Sequence, residues 1–447
     1  MASSTYRHRD MKTALCVLSA FAVLGVNGLP DFSVTDATIS PPGEKECSAY
    51  YYAPVGNAVA SFPTIWQPAT IMPSDTNAQA KWESIKQYIP DIAPKGNTDG
   101  NFDGVVYPAD DPDCWWTATK CVTPKAQGIP ADIAIMPEPR TLGYGFDDGP
   151  NCTHNAFYDY LKSQNQKATM FFIGSNVMNW PLEAQRAITD GHEVCVHTWS
   201  HHYLTAMESE DVFAELYYTS SHQACGWSHT NMLQGKECLQ PLDRNVPHLA
   251  DAFLSSNRFY QPPFGDIDDR VRAIANALGL RTVLWKYDSD DWQVGTPTSP
   301  TATPQDIDAN YQRMIDDAQK GAFDTAGTII LAHELNDFTM QEAIKFYPKL
   351  KAAFAHIVPI AVGLNITHPY VEGNTTFPTF EQYITGSMTL STNFTIANNS
   401  VLSTSSSSSP SPTQSEKKSG SIRTLESSNA SHLLLALAVF AAAAATL

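Results

Sequence analysis

Between residues 141 and 361, apolar strand-like runs alternate with helix-like runs, and this alternation limits the folds open to the chain. Residues 141–146, 168–174, 192–197, 258–261, 281–287 and 327–333 read as strands, and 357–362 closes the series. Helical runs at 153–164, 181–190, 209–224, 268–278, 304–320 and 340–354 stand between them. Gly191, Gly279 and Gly321 stop three of these runs, as glycine does at helix ends. Strands each followed by a helix predict an α/β fold with a parallel sheet. The expectation is a (β/α) barrel of about seven strands, with an open doubly wound sheet as the alternative. No glycine-rich loop follows the first strand, which argues against a Rossmann dinucleotide site.

The flanks place this unit in a secreted chain of 447 residues. Arg7, Arg9 and Lys12 precede a short apolar run at 14–26, with small residues around Gly28, so 1–28 reads as a signal peptide. Residues 29–136, rich in Pro, Asp, Gly and Trp, read as an N-terminal extension packed on the main domain, with one helix near 78–88. Trp115 and Trp116 read as buried packing rather than a sugar platform. Residues 137–362 form the expected catalytic domain. The Ser/Thr/Asn-rich 363–420 reads as a glycosylated stalk, and 421–447, ending in the apolar run 433–447, as a GPI-anchor propeptide. Ser419, Gly420 and Ser421 are the candidate attachment positions. Sequons lie at Asn151, Asn365, Asn374, Asn393, Asn398 and Asn429. The implied location is the plasma membrane through that anchor, the cell wall, or both.

Of eight cysteines, Cys16 lies in the signal. An oxidising compartment favours pairing. Local spacing suggests Cys114–Cys121 and Cys225–Cys238; the odd count of seven leaves at least one thiol free, and Cys195, in the apolar run 194–196, is the candidate. A net charge of −18 argues against nucleic acid as a partner, because phosphate binding needs a basic surface. An acidic surface suits a polymer that carries positive charge.

Chemically loaded residues fall at the strand ends. The first strand runs into Asp147-Asp148-Gly149-Pro150. Alone, that is also a turn sequence. The others end in His197-Thr-Trp-Ser-His201, Gln261-Pro-Pro-Phe-Gly265, Asp288-Ser-Asp-Asp-Trp292 and Leu331-Ala-His333. Active sites of parallel barrels lie at these C-terminal ends. A helical turn at 197–201 would set both imidazoles on one side, and with a carboxylate from another strand end they would form a two-His, one-carboxylate metal site. His192 and His202 read as structural.

With these segments in that order, the chain resembles the polysaccharide deacetylases of carbohydrate esterase family 4, the NodB-like group, and within it the secreted fungal chitin deacetylases. The matching segments are GFDDGP at 145–150, HTWSH at 197–201, QPPFG at 261–265, DSDDW at 288–292 and LAH at 331–333. The resemblance implies a distorted (β/α) barrel and metal-dependent removal of N-acetyl groups from chitin. It implies Asp147 as general base, Asp148, His197 and His201 as ligands of one divalent ion (Zn²⁺, with Co²⁺ as alternative), and His333 as general acid. Asp288 or Asp291 would orient His333. Trp292 and Leu331 would wall the acetyl methyl, and the Phe264 N–H would help hold the oxyanion. No obligate protein partner is implied.

One position departs from the family pattern. Gln261 stands where the family usually has an arginine before Pro-Pro, one that would pair with the base carboxylate. Arg258 is a candidate substitute. The departure leaves room for a deacetylase of another acetylated polysaccharide, or for a catalytically silent carbohydrate-binding wall protein.

Overall fold

The structure, a computed structural model, describes residues 46–227, 258–294, 302–370 and 376–387. Several expectations fall outside them: the signal, Cys238 and the side chains of Cys225 and Arg258, Asn374, Asn393, Asn398, Asn429, the attachment candidates Ser419, Gly420 and Ser421, and the apolar run 433–447.

The described strands are β1 (Thr141–Gly149), β2 (Thr169–Phe172), β3 (Glu193–Val196), β4 (Arg258–Tyr260), β5 (Leu280–Thr282), β6 (Tyr287–Asp288), β7 (Thr328–Leu331) and β8 (His356–Val358). They form one sheet in the order β5-β4-β3-β2-β1-β7-β6, with β8 also on β1. Every strand pairing is parallel. β1 is the hub. β7 pairs along one edge of it, while β8 takes the start and β2 the end of the other. The sheet curls into a distorted barrel that β5 and β6 leave unclosed among the described residues.

Helices cover it: α1 (Thr76–Ile85), α2 (Asn155–Ser163), α3 (Pro181–Thr189), α4 (Ser209–Trp227), α5 (Asp269–Ala277), α6 (Pro304–Gln319) and α7 (Asp337–Ala353). Local chemistry starts several of them. The Asp268 carboxylate caps α5, accepting from Val271 N–H at 3.0 Å. Thr303 and Asp306 form a capping box on α6, with Pro304 in the first turn.

Strand alternation sorts side chains into two cores. Tyr144, Phe146, Met170, Phe172, Val194 and Ile330 pack with Phe157, Tyr311 and Tyr347 of the covering helices. Phe171, Cys195 and Ile329 join the other cluster. Each large apolar side chain buried this way contributes about 1.5–3 kcal/mol. On that second face β1 carries Gly143, Gly145 and then Asp147. A Cβ at Gly143 would stand 3.0 Å from Ile329, and one at Gly145 3.3 Å from Phe171, so the glycines let neighbouring strands close in below the carboxylate.

The extension adds to the same interior: Phe62, Trp82, Trp116 and Ile133 all lie in one cluster with barrel residues. Trp115 and Trp116 are buried. Trp116 presses on Gly265, where a Cβ would meet its ring at 2.2 Å.

Three expected boundaries change. The strand expected at 281–287 splits in two, 280–282 pairing with β4 and 287–288 with β7, and between them Ile133 bridges Val283, its N–H donating to Thr282 O and its carbonyl accepting from Leu284 N–H, each at 2.9 Å. The strand expected at 357–362 stops at Val358, since Pro359 has no N–H for the ladder and leads into a short helix, Ile360–Gly363. β1 runs on through Gly149, so the two carboxylates lie within the strand rather than after it. Cys114–Cys121 is bridged, a Cys47–Cys152 bridge ties the extension to the loop after β1, and Cys195 is a buried thiol outside both bridges. Among the described residues no helix is long and apolar enough to cross a membrane.

Candidate active site and metal centre

Two neighbours on a regular strand point to opposite faces, yet Asp147 and Asp148 serve one site. A bulge makes this possible. Asp147 pairs with Phe171 and Gly149 with Phe172, so Asp148 is an extra residue on β1, and its φ is 71°. Asp147 keeps the inward face of Gly143 and Gly145, and Asp148 is turned back toward it. Asn176 Nδ2 donates to the Asp148 carbonyl at 2.7 Å and holds the bulge.

The histidines converge without the helical turn expected at 197–201. Thr198 and His201 have positive φ, 62° and 59°, so an irregular loop brings the rings to 4.9 Å between centroids. His197 Nδ1–H donates to the Gln261 carbonyl at 2.8 Å, which leaves Nε2 as the lone-pair nitrogen facing the carboxylates. The Asp148 Oδ1 atom lies 3.0 Å from His201 Nε2 and 3.3 Å from His197 Nε2. It is buried, yet makes no well-aligned hydrogen bond to either. Ligand atoms about 2.1 Å from a tetrahedral ion stand about 3.4 Å apart. The spacing and that orphaned oxygen therefore fit a divalent cation. Burial pushes the Asp148 carboxyl up, but His201 and His197 outweigh it and hold the group well below the usual range. Burial lowers His197, keeping it neutral, the form a ligand needs.

Asp147 faces the same His197 nitrogen at longer range, its Oδ2 3.7 Å from Nε2. It is buried, and burial pushes its carboxyl well above the ordinary value, while His333 pulls the other way. With the Gln261 amide oriented to satisfy both groups, Gln261 Nε2 donates to Asp147 Oδ2 at 2.8 Å and also reaches Oδ1. Gln261 therefore orients the carboxylate but adds no charge.

His333 follows β7 and bridges Asp147 across the ladder. Of the two acids weighed as its partner, Asp291 takes the role and Asp288 does not. Asp291 Oδ1 lies 2.5 Å from His333 Nδ1, and Oδ2 accepts from the His333 N–H at 3.1 Å. Asp288 instead accepts from Asp290 N–H at 2.9 Å, and burial pushes it up to about 6. Asp290, at φ 57°, turns the chain so that Asp291 faces inward. Burial depresses the His333 imidazole, but the buried Asp291 outweighs it and lifts the pKa to about 10. His333 is thus held as a protonated acid whose Nε2 remains for other work.

The remaining candidates are placed as follows. Leu331 is buried at the end of β7 and Trp292 is half-buried beside Asp291. Phe264, φ 59°, is 42% exposed and stacks on Tyr203 with centroids 4.0 Å apart, its ring edge-on to His201. His202 lies 3.3 Å from the Thr98 carbonyl through Nδ1, and His192 accepts from Ala168 N–H at 3.2 Å, both away from the centre. Asn151 donates from Nδ2 to the Leu335 carbonyl at 2.6 Å, whereas Asn365 is exposed. Sequence reading missed Glu334. Fully buried, it accepts from Asn151 N–H, from Tyr158 OH at 2.8 Å, and pairs with His154 Nδ1 at 2.8 Å, so it ties the loop after β1 to the end of β7. Its position beside His333 was the only available signal.

A polysaccharide deacetylase family profile matches residues 135–283. Chitin deacetylase 2 of Cryptococcus neoformans var. grubii is 47% identical over 371 residues, 81% of this chain and 75% of that protein. A chitin deacetylase of Amylomyces rouxii is 39% identical, over 75% of this chain and 74% of its own length. The solved chitin deacetylase of Colletotrichum lindemuthianum superposes with a TM-score of 0.40 at 19% identity, over 52% of this chain and 91% of its own.

Two variants test the electrostatics. A protonated His333 is lost as pH rises through its pKa, so its limb of the kcat/KM profile is the alkaline one. Asp291→Asn removes the charge that lifts it. That limb should fall from near 10 toward 6.5, with activity at pH 8 down by at least about tenfold. Gln261→Arg should favour ionised Asp147 and move the acidic limb to lower pH. A profile unchanged in both limbs would contradict these assignments.

Proposed function

The chain belongs to the polysaccharide deacetylase family, and from that premise we propose that it hydrolyses the N-acetyl groups of chitin to give chitosan and acetate. The observation that carries the reading is the placement of Asp147 and His333 beside the Asp148–His197–His201 cluster. A base and a protonated acid thus border one cation site.

Asp148, His197 and His201 would hold the ion, and the nitrogen-rich set with one carboxylate favours Zn²⁺. A divalent ion held there would supply a Lewis acid for the acetamide carbonyl and the attacking water, and by its charge would lower the pKa of the neighbouring Asp147. Asp147 takes the proton from the attacking water, with Gln261 fixing the direction of its lone pairs. The Phe264 N–H is the donor offered to the oxyanion, a contribution of about 3–4 kcal/mol for one good donor. Leu331 and Trp292 offer the apolar surface for the acetyl methyl. His333, charged by Asp291, delivers its proton to the departing amine and so prevents collapse back to amide. The product polymer is cationic, which suits a chain of net charge −18.

The same reading places the enzyme at the cell surface, GPI-anchored or wall-associated, with 29–136 and 137–362 as the working unit. Its support is the leader-like start, the sequons and the Ser/Thr/Asn-rich segment before an apolar run. Acetate release from chitin oligomers by the Zn²⁺-loaded protein should fall by at least about 100-fold in Asp147→Asn and in His333→Ala. Tight oligomer binding without acetate release at any pH would replace the enzyme with a carbohydrate-binding wall protein.

A further inference from the structure

The loop between His197 and His201 has one bond of its own, Thr198 Oγ1 accepting from the His201 N–H at 3.1 Å, and is otherwise held by its surroundings. Its left-handed residues, Thr198 and His201, break any regular hydrogen-bond pattern. Trp199, at its centre, is fully buried. Its ring stacks on Phe62, with centroids 5.9 Å apart and planes within 5°, and its indole N–H donates to the Thr64 carbonyl at 3.1 Å. Ser175 Oγ accepts from Trp66 N–H at 2.9 Å and donates to the Trp199 carbonyl at 2.5 Å. Residues 62–69 of the extension thus lie against the histidine loop.

Glu215 of α4 joins the two. It is fully buried and gathers four donors. Oε2 accepts from the N–H groups of Trp199 at 2.8 Å and Ser200 at 2.9 Å. Oε1 accepts from Ser200 Oγ at 2.6 Å and from Ala69 N–H at 2.8 Å. One carboxylate therefore holds the backbone between both histidines and binds it to the extension. Isolated buried carboxylates are costly, so this one is retained only with its donors in place.

We propose that Glu215 is a positioning residue for the metal centre, and that the same carboxylate ties the extension to that centre at Ala69. The proposal rests on the cation reading of Asp148, His197 and His201. Partners one step behind a metal's ligands typically change affinity by about 10–100-fold when removed. A purely structural Glu215 would change unfolding temperature and leave affinity alone.

The donor geometry separates its two tasks. Both donors on Oε2 are backbone N–H groups, which cannot reverse. On Oε1, the Ser200 hydroxyl can turn and accept, but Ala69 N–H cannot. A Glu215→Gln amide would keep its oxygen on Trp199 and Ser200 and turn its nitrogen on Ala69. It should hold the histidine loop while releasing the backbone at Ala69.

The test is Zn²⁺ affinity of the metal-free full chain by chelator competition, below the unfolding temperature of each variant, with Asp148→Ala as control. Glu215→Leu should weaken binding by at least about tenfold and Ser200→Ala by about threefold. Glu215→Gln should stay within about threefold of wild type, while hydrogen exchange speeds up at Ala69 and not at Trp199 or Ser200. Wild-type affinity in Glu215→Leu and Ser200→Ala, with binding lost in Asp148→Ala, overturns the proposal. If Glu215→Leu does not fold, unchanged affinity in Ser200→Ala together with unchanged exchange at Ala69 in Glu215→Gln overturns it as well. Wild-type binding by Asp148→Ala removes the cation reading itself, and this proposal with it.

Discussion

One extra residue in β1 is what the rest of the site depends on. Without the bulge at Asp148, strand geometry would send its carboxylate to the face opposite Asp147. With it, both acids serve one concave end of the sheet. The arrangement needs the bulge stabilised from outside, since positive φ is costly for aspartate. Asn176 does this from the β2 side, and Glu334 from the β7 side through the loop that follows. The glycines at 143 and 145 do the preparatory work by letting β2 and β7 approach.

Electrostatics then divides the labour among groups only a few ångströms apart. Asp148 faces two imidazoles and stays ionised. His333 faces Asp291 and stays protonated. Asp147 faces a neutral amide that brings hydrogen bonds but no charge, and the charge that offsets the cost of its burial comes from His333. Under the proposed function, a cation held by the neighbouring cluster would therefore set its charge, and Gln261 in place of the expected arginine would leave that control to the metal centre rather than to a fixed guanidinium.

The architecture was legible in the sequence because hydrophobic period is a local signal. The alternation between 141 and 361 named the parallel sheet, and five loaded strand ends named the site region. What failed to show depends on partners distant in the chain. The choice of Asp291 over Asp288 follows from the reversal at Asp290, which no spacing rule reveals. The 197–201 loop converges its histidines by left-handed residues rather than a helical turn, and Thr198 gives no sign of that. β5 and β6 are separate because they pair with different strands, β4 and β7, and Ile133, some 150 residues earlier, bridges the chain between them. The Cys47–Cys152 bridge, 105 residues apart, was invisible to a reading based on local spacing. The same holds for residues 62–69, whose Pro- and aromatic-rich sequence says nothing of the loop they support.

The central claim is that Asp148, His197 and His201 hold one divalent ion beside a base kept in line by Gln261. Anomalous diffraction at the zinc edge from a crystal of the Zn²⁺-loaded protein tests it most directly. The account predicts a single strong peak bonded to Asp148 and to Nε2 of both histidines at about 2.0–2.2 Å, with Asp147 unbound and facing Gln261. A peak elsewhere, or one ligated by Asp147 in place of Asp148, would contradict it.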